Sequence, residues 1–86
     1  MRFMSHVQYT DDALKDLKTI GHVAASRVTA KVAAYAAAPL AFANQVKKLQ
    51  GKDILRLRVG DYRVLFTEDG TILRVLRVGH RREIYR

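Results

Sequence analysis

Arginine alternates with apolar side chains through the C-terminal part of the chain, and this alternation constrains the fold more than any other feature. Residues 54–59, 62–68 and 71–78 are rich in β-branched, aromatic and other apolar side chains at a period of two, the pattern of half-buried strands. Gly60-Asp61 and Asp69-Gly70 separate the three runs. The second pair favours a type I′ hairpin turn. The sequence therefore predicts an antiparallel meander of three strands.

The strand period also decides which side chains share a face of this meander. Leu57 alternates with Arg56 and Arg58 in the first strand, and Val64 alternates with Arg63 in the second. If the apolar sets face the protein interior, Arg56, Arg58 and Arg63 lie together on the open face. The third strand has apolar residues in both phases, which indicates a central strand of the sheet.

The N-terminal half is predicted to supply a short strand and two helices. Residues 3–9 alternate weakly, and Thr10 is a helix N-cap followed by acidic residues, which the helix dipole favours in the first turn. Gly21 ends this helix, and an alanine-rich second helix over residues 22–38 ends at Pro39. The short gap between the helices implies a helical hairpin.

Together these elements predict a single domain over residues 1–86 with an α+β fold. An N-terminal helical hairpin packs on a small antiparallel sheet, and the elements follow the order β-α-α-β-β-β. Residues 40–53 are expected to form an irregular segment over the core. The apolar fraction of 49% is enough for one hydrophobic core in a chain of 86 residues.

The positive charge is concentrated in the second half of the chain. The net charge is +8; residues 1–46 carry 5 Lys and Arg against 3 Asp and Glu, whereas residues 47–86 carry 11 against 5. In residues 47–86 Arg outnumbers Lys 8 to 3, and Arg is the better residue for bidentate contacts to phosphate. The expected partner is therefore acidic: a nucleic acid, an acidic protein or both.

Several other kinds of site find no support in the sequence. Cysteine is absent, and His6, His22 and His80 are far apart with no acidic residues at ligand spacing, so no metal and no cofactor are expected. Ser5 and Ser26 are the only serines, which gives a serine triad little support. No apolar run has the length of a bilayer span and no signal peptide is evident, so a soluble cytoplasmic protein that does not enter membranes is expected.

The candidates for binding a phosphate are Arg56, Arg63 and Arg81, because preorganised positive charge is often the largest contribution to catalysis. His80 and Tyr85 are the nearby groups able to transfer protons, and Tyr85 could also stack on a base. Further contacts to RNA or phosphate are expected from the basic residues Lys47, Lys48, Lys52, Arg58 and Arg82.

Two motifs of the second half resemble the RelE/ParE superfamily of bacterial type II toxins, in particular the RelE-like mRNA interferase branch. They are L-x-G-x-x-x-x-R-x-R-x-G-D-Y-R-V-L-F over residues 49–66 and R-V-G-H-R-R-E-I-Y-R over residues 77–86. The predicted order of elements fits that family over essentially the whole chain. The resemblance implies a metal-independent, ribosome-dependent endoribonuclease that cleaves mRNA in the A site when a substrate 2′-hydroxyl attacks its own 3′-phosphate.

The resemblance also implies roles for particular residues. Arg63 would stabilise the phosphorane charge, and Arg81 would hold the phosphate or the leaving group. Arg56 occupies the position of a basic residue that helps to activate the nucleophile. Tyr85 matches a terminal Tyr that stacks on the base or assists proton transfer.

Two positions depart from the family pattern or vary within it. His80 lies where relatives vary, and Ile54 replaces a second basic residue of some ribosome-dependent relatives. Because an Arg at position 56 stays protonated, the general base is left unassigned.

The resemblance further implies an acidic antitoxin as partner in a toxin–antitoxin hetero-oligomer, together with the ribosome and mRNA. One alternative is a ParE-like protein that poisons DNA gyrase by binding, without enzymatic activity. A scaffold that only binds nucleic acid or antitoxin is another. The intact G-H-R-R-E-I-Y-R ending over residues 79–86 favours RNA cleavage.

Overall fold

The computed structural model describes residues 6–84, which form an α+β fold with a helical hairpin on a sheet, as predicted. The helices are α1 (Asp11–Ile20) and α2 (His22–Ala37), followed by a 3₁₀ segment over Pro39–Gln45. The strands are β1 (His6–Tyr9), β2 (Val46–Lys48), β3 (Leu55–Val59), β4 (Tyr62–Glu68) and β5 (Ile72–His80). The first part of the predicted N-terminal strand lies outside the described residues. No described helix is both long and apolar enough to cross a membrane.

The helical hairpin begins and ends at the residues that the sequence predicts. The Thr10 hydroxyl accepts a hydrogen bond from the Ala13 N–H at 3.1 Å, which satisfies one of the unpaired donors at the start of α1. Gly21 alone joins the helices, and its φ of +92° is a backbone conformation that favours glycine. Pro39 follows α2 and opens the 3₁₀ segment, where its missing N–H costs nothing.

The sheet has the strand order β1-β5-β4-β3-β2 and differs from the predicted meander in two ways. First, β2 forms an additional edge strand within residues 40–53, which were expected to be irregular. Its three residues are too few for alternation to reveal, and antiparallel pairing with β3 stabilises it. Second, β1 pairs with β5 in parallel, so the sheet is mixed. The rest of the chain separates these strands, so no hairpin imposes an antiparallel direction.

A β-bulge explains why the third predicted strand has apolar residues in both phases. Leu65 lies opposite Arg77 and Phe66 lies opposite Val75, so Leu76 is an extra residue on β5. The extra residue reverses the alternation. Val75 on one side of the bulge and Val78 on the other both face the core, with at most 3% of their surface exposed. β5 is central, as predicted, because it pairs with β1 and β4.

The core lies between the helices and one face of the sheet. Val28, Val32 and Tyr35 of α2 pack with buried side chains of the three central strands, among which Phe66 has 1% of its surface exposed. The Tyr35 and Phe66 rings meet edge to face, with centroids 5.3 Å apart. Burying a side chain of the size of Phe66 contributes about 1.5–3 kcal/mol. This core leaves the opposite face of the sheet open.

The hairpin between β4 and β5 forms where it was predicted, but its turn is not of type I′. That turn needs a positive φ at both central residues, and among residues 6–84 only glycines have one. Instead, the Asp69 carboxylate accepts hydrogen bonds from the backbone N–H groups of Thr71 and Ile72 at 2.9 and 2.8 Å, and Gly70 takes the φ of +91°. These two bonds lower the pKa of Asp69, with Ile72 making the larger contribution.

Beyond the end of β1, polar side chains cover the edge of β5. The Thr10 hydroxyl donates to the carbonyl of Leu76 at 2.8 Å, and the Asp16 carboxylate accepts from the Val78 N–H at 2.9 Å. Asp16 also pairs with Arg77 through two hydrogen bonds of 2.8 and 3.1 Å. Burial raises the pKa of Asp16, but the bonds from Arg77 and Val78, with the Arg77 charge, outweigh it, so that the pKa is lowered. The ionised Asp16 carboxylate therefore accepts the hydrogen bonds offered by Arg77 and the Val78 N–H at this edge of the sheet.

Candidate phosphate-binding site

The register of the sheet brings four cations together on its open face. Lys47 of β2 lies opposite Arg56 of β3, and Arg58 of β3 lies opposite Arg63 of β4. All four occupy the strand phase opposite to that of the buried residues Leu57 and Val64. A pocket of about 150 Å³, here called the arginine pocket, is lined by Asn44, Gln45, Lys47, Arg56, Arg58 and Arg63.

The arginine pocket is strongly electropositive, since no acidic residue of the described range 6–84 lines it and four of its lining residues are cationic. Like charges directly opposite each other on neighbouring strands destabilise a sheet, and Arg58 and Arg63 form such a pair. Phosphate groups would offset this repulsion and accept charge-assisted hydrogen bonds from the guanidinium groups. The arrangement is therefore suited to binding phosphate.

Arg63 and Arg81 are both attached to the turn between β3 and β4. The Arg63 guanidinium donates from Nη1 to the carbonyl oxygens of Gly60 and Tyr62, each at 3.0 Å. The Arg81 backbone N–H donates to the Asp61 carbonyl at 2.8 Å, and Arg81 Nε lies 3.9 Å from the Asp61 carboxylate. The turn thus places Arg81 beside the strand that carries Arg63.

The chain after β5 packs on the same face as the arginine pocket. Gly79 lies opposite Arg63, so it occupies the open-face phase. A Cβ at Gly79 would lie 3.0 Å from Ile84 Cδ1 and 3.7 Å from Ile84 Cα, so the absent side chain leaves room for Ile84. The turn that carries Arg81 is further closed by hydrogen bonds from the N–H groups of Glu83 and Ile84 to the His80 carbonyl. Tyr85, a predicted site residue, lies outside the described residues.

A family model, described as the ParE toxin of the type II toxin–antitoxin system parDE, matches residues 7–85. The match spans nearly the whole chain and includes the strands that form the arginine pocket. The chain belongs to this toxin family. The predicted membership of the RelE/ParE superfamily is thereby confirmed. No protein of curated function matches the sequence significantly.

Solved structures of RelE proteins share the fold of this toxin. The RelB–RelE antitoxin–toxin complex of Methanococcus jannaschii matches with a TM-score of 0.72 and 25% identity, over 91% of this chain and 94% of that chain. The archaeal RelE–RelB complex of Pyrococcus horikoshii OT3 matches with a TM-score of 0.73 and 22% identity, over 96% and 99%. A mutant of the E. coli toxin RelE in the free state matches with a TM-score of 0.70 and 22% identity, over 99% and 90%.

In the toxin, His80 lies on the opposite face of the sheet from the arginine pocket. It pairs with Tyr62, whose ring packs against the core, and the two rings meet edge to face with centroids 5.9 Å apart. The His80 Nδ1 accepts a hydrogen bond from the Arg82 N–H at 3.2 Å. Simple alternation from Leu73 would put His80 on the open face, but the bulge at Leu76 reverses the phase. The structure therefore places His80, one of the two predicted proton-transfer residues, on the opposite face of the sheet from Arg56 and Arg63.

The remaining predicted contacts are dispersed. Lys48 is in the phase opposite to Lys47, and its Nζ lies 3.8 Å from the Asp53 carboxylate. Lys52 lies in the turn between β2 and β3, and Arg82 lies in the exposed turn after β5. Of the predicted auxiliary cations, Lys47 and Arg58 are the two that line the arginine pocket.

The sequence pattern does not point to Asn44 and Gln45, the two amides that line the pocket. They belong to the 3₁₀ segment, which has no strand period, and only the pairing of β2 with β3 brings them to the site. The sequence pattern also does not show that Arg74 and Arg77 both lie on the open face, because the bulge in β5 separates them. These two have partners of their own, because Arg74 Nε donates to Gln8 at 3.3 Å and Arg77 pairs with Asp16.

No three His, Asp or Glu side chains within residues 6–84 are grouped in a way that could hold a metal ion.

Proposed function

We propose that this toxin is an endoribonuclease that cleaves mRNA in the ribosomal A site and so inhibits translation in the cytoplasm. The arginine pocket carries the proposal: Arg58 and Arg63 lie opposite each other on neighbouring strands, and Arg56 and Lys47 lie one row away. Cations held at fixed positions on strands are suited to binding a phosphodiester. Solubility alone would not require them to lie together on one face. The resemblance of the two C-terminal motifs to RelE-like toxins supports the same function.

In the proposed reaction, the 2′-oxygen of the substrate attacks the adjacent phosphorus. The O2′–P bond forms while the P–O5′ bond breaks, the 2′-oxygen loses its proton and the 5′-oxygen gains one. The products are a 2′,3′-cyclic phosphate and a 5′-hydroxyl. Arg63 would stabilise the charge of the phosphorane, and Arg81, attached to the same turn, would hold the phosphate or the leaving group.

Within residues 6–84, the charged residues that line the pocket are Lys47, Arg56, Arg58 and Arg63. The three arginines supply charge and orientation rather than a base, because Arg stays protonated in proteins. Arg56 would therefore help the nucleophile by stabilising the developing 2′-oxyanion. Tyr85 is proposed, from the family motif, to stack on the base or to assist proton transfer. Much of the acceleration would come from holding the 2′-oxygen in line with the P–O5′ bond.

We also propose that an acidic antitoxin covers the arginine pocket in a toxin–antitoxin hetero-oligomer. The M. jannaschii structure is an antitoxin–toxin complex of RelB with RelE, and the P. horikoshii structure is a complex of RelE with RelB. Acidic side chains would offset the repulsion between Arg58 and Arg63 as a phosphate does. Inhibition would then follow from competition for the same cations.

A second candidate function, poisoning of DNA gyrase by binding, is favoured by the family model, which is that of ParE toxins. The same fold supports both functions, so the fold does not choose between them. RNA cleavage requires the pocket cations to contact a reacting phosphate, whereas gyrase poisoning requires only a surface for a protein. Accumulation of cleaved DNA complexes with purified gyrase would support the second function.

Primer extension on mRNA from a translating extract, with and without the protein, tests the proposal. New 5′ ends within codons are expected when the protein is present, and they should disappear for an Arg63→Ala/Arg81→Ala double variant. Lys15→Ala removes one exposed cation of α1, outside the pocket, and is the control. Absence of new ends with the wild-type protein would contradict the proposal, as would equal cutting by the double variant.

A further inference from the structure

A lysine on helix α2 contacts the arginine pocket indirectly, through Gln45. The Lys31 Nζ donates a hydrogen bond to Gln45 Oε1, and the same Nζ lies 5.6 Å from the centroid of the Phe42 ring. This ring attracts the ammonium group by a cation–π interaction. Lys31 is half-buried, so two contacts fix its long side chain at the edge of the sheet.

Gln45 lies at one end of a row of side chains that crosses the pocket. Val46 pairs with Leu57, so continuing the register by one residue brings Gln45 next to Arg58. Arg58 lies opposite Arg63, and Arg63 lies opposite Gly79. The row therefore runs from Gln45 through Arg58 to Arg63, and ends near the turn that holds Arg81.

The contact with Lys31 fixes which end of the Gln45 amide is available to a ligand. An amide has an acceptor oxygen and a donor nitrogen on the two ends of a planar group, and the hydrogen-bond network decides their orientation. With Oε1 held by the Lys31 ammonium, Nε2 is the end of the Gln45 side chain that is left for the pocket it lines. Gln45 is thereby a neutral hydrogen-bond donor beside four cations.

We propose that Gln45 Nε2 and Arg58 hold the phosphate that neighbours the scissile one, and that Lys31 is a positioning residue that orients Gln45. This inference rests on the proposed function, in which Arg63 and Arg81 hold the scissile phosphate. Neighbouring strands lie about 4.8 Å apart, so Arg58 and Gln45 are one and two strands away from Arg63. The pocket then recognises two successive phosphates of single-stranded RNA.

A contact to a phosphate that does not react is made equally in the ground state and in the transition state. Its loss raises the concentration needed for half-maximal cleavage and leaves the maximal rate unchanged. For Gln45→Ala and for Lys31→Met we expect an increase of about tenfold in that concentration, as for the loss of one hydrogen bond to a charged group. The maximal rate on programmed ribosomes should stay within about threefold of wild type.

Four further variants sharpen the test. Lys31→Arg retains a donor for Gln45 Oε1 and should behave as wild type. Gln45→Glu retains the acceptor for Lys31 but puts a carboxylate oxygen into the pocket, so its affinity for RNA should fall further than that of Gln45→Ala. The Lys31→Met/Gln45→Ala double variant should be no worse than Gln45→Ala alone, because Lys31 acts only through Gln45. Lys15→Met removes the same charge from the exposed surface of α1 and should have no effect. Thermal unfolding of each variant checks that it is folded.

A binding measurement separates failure of this inference from failure of the proposed function. The probe is a single-stranded RNA hexamer with 2′-O-methyl riboses, which cannot be cleaved by 2′-oxygen attack, and its Kd is measured by fluorescence anisotropy. Gln45→Ala and Lys31→Met should each weaken binding about tenfold, and Lys31→Arg should restore it. If wild-type protein cuts no mRNA, the proposed function fails, and the hexamer still tests the site. Wild-type affinity for the hexamer in both variants would overturn the inference.

Discussion

Arg63 and Arg81 are held by the same turn: Arg63 Nη1 donates to the carbonyl oxygens of Gly60 and Tyr62, and the Arg81 N–H donates to the carbonyl of Asp61. The two residues are distant in sequence, yet one short loop fixes both. A guanidinium that is already hydrogen-bonded loses less conformational entropy when a phosphate binds. The turn is therefore a preorganising element of the proposed site.

Replacing Arg58 by Gln should stabilise the folded protein while weakening anion binding. The change removes the repulsion between Arg58 and the directly opposite Arg63, and we expect the free energy of unfolding to rise by about 0.5 kcal/mol. Urea unfolding measures it. Added phosphate should raise the Tm of wild type more than that of the variant, because it binds the folded state. Lys15→Gln, an equal change of charge on the exposed surface of α1, should retain the response to phosphate. A loss of stability in Arg58→Gln would contradict the account.

Replacing Gly79 by Ala should displace the turn that carries Arg81. The new Cβ would lie 3.0 Å from Ile84 Cδ1, so Ile84 must move, and we expect cleavage to fall about tenfold with a loss of about 1 kcal/mol in stability. A Gly79→Ala/Ile84→Ala double variant relieves the overlap and should recover most of the cleavage rate. Full activity of Gly79→Ala would show that the packing of Ile84 on Gly79 does not position Arg81.

Replacing His80 by Asn should leave cleavage almost unchanged. An Asn side chain can accept the hydrogen bond from the Arg82 N–H that His80 Nδ1 now accepts, so the local turn is retained while the imidazole is lost. Loss of a general acid or base typically costs about 10²–10⁴ in rate. We expect less than about a threefold change across the pH range in which wild type is active, measured by primer extension. A hundredfold loss of cleavage rate in His80→Asn would show that His80 takes part in catalysis.

The pair of Asp16 with Arg77 should make stability depend on pH in the acid range. The pKa of Asp16 is lowered from its ordinary value of 3.8, so the stabilisation is fully present above that value and is lost as the pH falls through the lowered pKa. Arg77 has 54% of its side chain exposed, so we expect only about 1 kcal/mol from these contacts. Asp16→Asn should be less stable than wild type by this amount near about pH 6, and the difference should shrink as the pH falls below 3.8 and through the lowered pKa. A difference that does not change with pH would contradict the assignment.

Local patterns in the sequence predict the helical hairpin and the three C-terminal strands, because capping, alternation and turn residues act over a few neighbours. They also predict that Arg56, Arg58 and Arg63 share the open face, since no bulge interrupts β3 or the pairing of Arg58 with Arg63. The site therefore follows in part from strand period alone.

Features that depend on long-range pairing could not be predicted in this way. The parallel pairing of β1 with β5 and the short strand β2 arise from contacts between distant segments. A single extra residue at Leu76 reverses the phase of β5 and moves His80 away from the arginine pocket. Gln45 enters the site because β2 pairs with β3, and its orientation depends on Lys31 of α2.

The central claim, that the arginine pocket holds the scissile phosphate of mRNA, is tested most directly by the cleavage rate of an Arg63→Gln variant. Gln keeps a hydrogen-bond donor but removes the charge that would face the phosphorane. In the same translating extract we expect a loss of about 10²–10³ in rate for Arg63→Gln and a wild-type rate for Lys15→Gln. An Arg63→Gln variant that cuts mRNA at the wild-type rate would contradict the claim.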